Sequence, residues 1–91
     1  MENWKTPKLK KLTKAILSIK KETDVENFLR DLCTLEELGE LSNRWEAAEL
    51  LNMGLPYREV AAKTGMSTTT VTRIAHWIKH GEGGYKKILK K

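Results

Sequence analysis

Residues 57–76 read YREVAAKTGMSTTTVTRIAH. The stretch meets several independent demands of two short helices that cross steeply through a tight turn. Ala61 falls where the first helix must approach the second closely. Gly65, four residues on, supplies the positive φ that such a turn requires. Val60, Met66, Val71 and Ile74 are spaced to lock the pair together. Ser67 is positioned to accept from N–H groups one turn ahead, which predicts a second helix beginning at Thr68. The motif runs from Pro56 to about Lys79.

Three successive threonines, Thr68-Thr69-Thr70, lower helix propensity and add no apolar burial, so a contact surface explains them better than folding does. A threonine hydroxyl bonds to either member of a base pair, and its methyl touches that of thymine. We therefore assign the threonines to base edges. Arg58, Lys63, Arg73 and Lys79 go to phosphates or, for arginine, to guanine, and Ser67 and Thr70 join the backbone set. The competing reading, an αα-hairpin with a merely polar face, leaves the agreement of the Ala, Gly and apolar positions unexplained.

Outward from this motif, apolar residues recur at steps of three and four, and no stretch alternates with the period of a strand. The chain reads as all-α and as one domain over 1–91. A first helix is predicted from Pro7 to Lys20, with the stripe Leu9, Leu12, Ile16 and Ile19. Thr23 with Glu26 has capping-box spacing and predicts a second helix over Asp24 to Leu32. Thr34 with Glu37 repeats the device for a short helix through Leu41. A further helix covers Asn43 to Asn52, stopped by Met53-Gly54, after which Pro56 starts the motif. Residues 1–52 thus carry the N-terminal helices, 56–79 the helix-turn-helix, and 85–91 a basic C-terminal helix or tail behind the joint Gly81-Glu82-Gly83-Gly84.

Charge is unevenly distributed around the formal total of +5. Residues 1–21 carry +6, residues 22–50 carry −7, and residues 51–91 carry +6. Basic ends suit phosphate, while an acidic middle suits protein or solvent, and helical i, i+4 pairing explains part of the pattern. Cys33 is the only cysteine, which leaves no intramolecular disulfide or cysteine-rich zinc site and suits a reduced cytoplasmic setting. No apolar run reaches the roughly 18 to 20 residues that cross a bilayer, and the N-terminus has no secretory signal. A membrane partner is not expected.

His76 and His80 have the spacing of two metal ligands on a helix but no convincing third, so a phosphate contact or a C-terminal helix charge suits them better. No P-loop, Ser-His-Asp set or dinucleotide glycine pattern occurs, and the acids at 36, 37, 40, 46 and 49 read as helix surface. The expectation is a protein that is not an enzyme and carries neither metal nor cofactor.

From about Thr34 to Gly81 the sequence resembles the Trp repressor family, above all in LSNRWEAAELLNMG, REVAAKTG and TTVTRI, and most nearly its Trp repressor-like members of uncertain ligand. The resemblance implies an intertwined all-helical homodimer bound to a pseudo-palindromic operator in double-stranded DNA. It implies base-facing positions at Thr68, Thr69 and Thr72, and a DNA contact at Arg58. In tryptophan-responsive members the corepressor indole lies between two arginines, matched here by Arg44 and Arg73. The glycine that normally follows the second arginine is Ile74, and a serine three residues later is Trp77. Two large side chains then enter the space an indole needs, and Trp77 itself becomes a candidate for the stack between Arg44 and Arg73.

The function expected is a sequence-specific transcriptional regulator, most simply a repressor. A small-molecule corepressor is left open by the pocket residues. The alternatives are a nonspecific architectural DNA-binding protein and a dimeric protein-interaction module that docks through its acidic middle.

Overall fold

Thr6, Thr34 and Ser67 each stand just ahead of an apolar-periodic run, and each starts a helix. A computed structural model of the protein describes residues 3–90. Its elements in chain order are α1 (Pro7–Leu17), α2 (Glu22–Leu32), α3 (Leu35–Asn52), α4 (Tyr57–Thr64), α5 (Thr68–His80) and α6 (Gly84–Leu89). Among the described residues there is no strand. The protein is all-α, as the periodicity predicts.

Thr6 accepts a hydrogen bond from the Leu9 amide at 3.1 Å, and Pro7 follows where its missing N–H costs nothing. Thr34 and Glu37 form the reciprocal box that their spacing predicts. The Glu37 amide donates to Thr34 Oγ1 at 3.1 Å, and the Thr34 amide donates to Glu37 Oε1 at 2.8 Å. Thr34→Ala is expected to remove one of these bonds and lower stability by about 1 kcal/mol, read from the urea midpoint. An unchanged midpoint would mean that the start of α3 contributes nothing to the folded state.

Three boundaries differ from the sequence expectation. The first helix stops at Leu17 instead of Lys20, where Ser18 turns its hydroxyl back onto the Ala15 carbonyl at 2.7 Å. The Thr23–Glu26 box does not form, because α2 begins two residues earlier. Lys21 is its extended N-cap, and Glu22 and Asp24 lie in the first turn, where their charge favours the helix dipole. The two helices expected over 34–52 are one. Gly39 and Ser42 weaken the run, but the Leu, Glu and Ala residues around them carry the helix through.

The end of α3 does follow the expectation. Gly54 has φ +89°, its amide donates to the Leu51 carbonyl at 3.0 Å, and the Leu55 amide reaches the Leu50 carbonyl at 3.3 Å. This is the paired bonding of a Schellman stop. The carbonyl of Pro56 then accepts from the Glu59 and Val60 amides, so the proline acts as N-cap of α4.

The chain divides into two compact units, residues 1–38 and 39–91. In the first unit no described side chain is fully buried. Leu9, Leu12, Phe28 and Leu29 are half-buried, while Ile16, Leu17, Leu32 and Leu35 are 47, 81, 51 and 68% exposed. The second unit has a true core of Ala47, Ala48, Val60, Val71 and Ile74, flanked by Leu50, Leu51, Leu55, Met66, Ile78 and Leu89. Lys91 of the basic tail lies outside the described residues; the rest of the tail forms α6.

Candidate nucleic-acid interface

The core of the second unit exists to hold α5. Val60 from α4 and Ala47 and Ala48 from α3 meet Val71 and Ile74 of α5, all with no exposed surface. The alanines leave room for close helix approach, and burial of the aliphatic side chains supplies most of the driving force. The turn between α4 and α5 is set by Gly65, in the left-handed region at φ +73°, whose amide closes α4 onto the Ala61 carbonyl at 2.9 Å. Ser67 Oγ accepts from the Thr70 amide at 3.1 Å, and α5 begins at Thr68 as its cap requires.

One residue of this turn escaped the sequence reading. Thr64 is buried, donates from Oγ1 to the Val60 carbonyl at 2.8 Å, and accepts from the Met66 amide at 3.4 Å. Its hydroxyl thus stitches the last turn of α4 to the residue after the glycine. The signal available was a polar residue directly before Gly65, at a position where helical spacing from Val60 demands burial.

Successive residues of a helix rotate by about 100°, so Thr69, Thr72, Arg73 and His76 fall on the side of α5 opposite Val71, Ile74 and Ile78. All four are exposed. The hydroxyls of Thr68 and Thr69 have no partner among the described residues. Thr72 donates to the Thr68 carbonyl at 2.9 Å and keeps its acceptor capacity. Thr70 is half-buried, with its hydroxyl 3.0 Å from that of Ser67. Arg58, Lys63 and Lys79 are exposed, and among the described residues none makes an ion pair. His76 and His80 form a tilted pair with ring centroids 4.9 Å apart.

The residues expected around an indole have different settings. Ile74 belongs to the core, completely buried. Trp77 is 44% exposed on a groove of about 560 Å³ that it shares with Trp45, Glu82, Tyr85 and Ile88. Trp45 and Tyr85 stack there with centroids 6.3 Å apart. Arg44 lies on a separate groove with Glu40, Asn43, Met66 and Thr70. Among the described residues neither Arg44 nor Arg73 makes a cation–ring contact with Trp77. Ile74 drives α5 into the core from one side, and Trp77 projects roughly 60° away from it around the helix.

Two helices joined by a glycine turn, the second capped, anchored on one side and polar on the other, define a helix-turn-helix protein. The family model described as Trp repressor protein matches residues 7–91, and the chain belongs to that family, whose members are DNA-binding regulators. It is 35% identical over 81 residues to the uncharacterised protein YerC of Bacillus subtilis (strain 168), covering 89% of this chain and 78% of the relative. Among solved structures it is similar to a TrpR-like protein from Eubacterium eligens, with a TM-score of 0.89 and 36% identity over 94% of this chain and 89% of the other. A Trp repressor candidate from Staphylococcus aureus gives a TM-score of 0.87 and 30% identity, covering 94% and 86%.

Proposed function

We propose that the protein is a sequence-specific DNA-binding transcriptional regulator, most simply a cytoplasmic repressor, which acts as an intertwined homodimer with α5 of each chain in the major groove. The reading rests on α5 itself: one side is locked into the core through Val71 and Ile74, and the other offers Thr68, Thr69, Thr72 and Arg73 to a partner. Thr68, Thr69 and Thr72 take the base edges. Arg58, Lys63, Ser67, Thr70 and Lys79 take the backbone or, for Arg58, a guanine. A rigid anchor lets these short side chains meet base edges without first paying to order the helix.

The first unit supports the dimer. With no fully buried side chain among its described residues and five large apolar residues open, Trp4, Ile16, Leu17, Leu32 and Leu35, it needs another surface to make a core, and a second copy offers the same unmet need. Residues 1–52 then serve dimerisation, and the chain acts as one domain. The buried Ile74 and the bulky Trp77 favour a regulator that works without tryptophan.

Selection from random duplexes tests the reading. The expected product is a pseudo-palindrome whose half-sites lie about one DNA turn apart. A selection without consensus would instead indicate an architectural protein, and absence of binding at low salt a protein-interaction module. Arg58→Gln and Lys63→Gln are each expected to weaken all sequences alike and to flatten the salt dependence by about one unit of slope. Saturating free tryptophan is expected to leave operator affinity unchanged; a stoichiometric rise would overturn that part of the reading.

A further inference from the structure

Between residues 3 and 21 the chain has seven lysines and no acidic residue. All seven lysines are exposed, and among the described residues none makes an ion pair; of the seven, only Lys5 brings its ammonium against another side chain, over the Trp4 ring at 5.4 Å. On α1 the charges are sorted. Lys10, Lys11 and Lys14 share one side, and Leu9, Leu12 and Ile16 share the other. Lys10 and Lys14 stand one turn apart as a like-charged pair that weakens an isolated helix. Lys8 and Lys10 lie in the opening turn, which holds no acid and where a cation opposes the helix dipole. The helix therefore carries a charge pattern that folding within one chain does not reward.

We propose that the Lys10–Lys11–Lys14 side of α1 binds the sugar-phosphate backbone of double-stranded DNA as a sequence-independent contact; this rests on the DNA-binding reading above. A polyanion rewards clustered cations through released counterions, so a surface costly to the free helix becomes favourable on the complex. Lysine is depleted at protein interfaces, which disfavours a protein partner. A membrane-surface helix needs its apolar side free for the bilayer, but Leu9 and Leu12 of that side are already half-buried within the first unit, which leaves only Ile16 open.

The test compares the full chain with its Lys10→Gln/Lys11→Gln/Lys14→Gln and Lys10→Arg/Lys11→Arg/Lys14→Arg forms on a selected duplex and an unrelated one, over a range of salt. Glutamine keeps helix propensity close to that of lysine, and circular dichroism and sedimentation verify fold and assembly. The Gln form is expected to lose at least tenfold in affinity for both duplexes at about 0.15 M salt, with a log–log salt slope shallower by about 2 or more and an unchanged consensus. The Arg form is expected to bind like the parent. An unchanged slope in the Gln form, with the parent binding normally, overturns the proposal, as does a loss confined to anionic phosphatidylserine vesicles or to self-association. If the parent binds no duplex at low salt, the underlying reading fails instead, and the two failures are distinct.

Discussion

Thr69→Ala and Thr72→Ala are expected to abolish most discrimination between the operator and unrelated DNA while leaving the fold intact. Both side chains are exposed, so neither substitution opens a cavity, and alanine is the better helix former. What is lost is base readout: the Thr69 hydroxyl, which is free for a base, the Thr72 oxygen lone pairs, and two methyls that fit against thymine. At about 1 to 3 kcal/mol for each mismatched position, the pair together should cost on the order of 10²-fold or more in specific affinity. Nonspecific affinity should hold within a factor of two or three, because the phosphate contacts remain. Competition between the selected operator and random DNA measures both. A double variant with parental selectivity would show that α5 does not read sequence.

The second large effect is expected at Ile74. Its side chain is wholly buried in a cluster with Ala47, Ala48, Val60 and Val71, whose short side chains do not reach into a vacated volume. Ile74→Ala removes three carbons and leaves a cavity, at a cost of about 2 to 5 kcal/mol. For a small domain with total stability of about 5 to 15 kcal/mol, that is a large fraction. Urea unfolding should show the midpoint falling with little change in slope. A cost under about 1 kcal/mol would mean that Ile74 is not a keystone of this core. Operator binding should weaken in parallel, since Val71 and Ile74 are what hold α5 against α3 and α4.

The parts of the fold legible in the sequence are those decided by local chemistry. Gly54 and Gly65 mark stops because each needs positive φ, and Thr34 and Ser67 mark starts because each has a donor to satisfy within one turn. The Thr23–Glu26 spacing satisfies the same rule on paper, yet α2 starts earlier, because Glu22 and Asp24 offer the dipole what the box would have offered the amides. The continuity of α3 through Gly39 and Ser42 was illegible for a different reason: a weak position inside a long helix is outvoted by its neighbours. The exposed side of α5 was readable from three threonines that serve no folding purpose. The setting of Trp77 was not, since its position relative to Arg44 depends on how two helices rotate against each other, which spacing along one of them does not determine.

The first unit's missing interior has a quantitative consequence. A segment with no core of its own has its folded population set by the concentration of whatever covers it. When the cover is another copy, ordering follows mass action: well below the midpoint of assembly, halving the dose leaves about a quarter of the pairs. The same apolar residues that leave the N-terminal helices wanting then act as a counting device, keeping a sparse chain from occupying its targets and letting an abundant one saturate them.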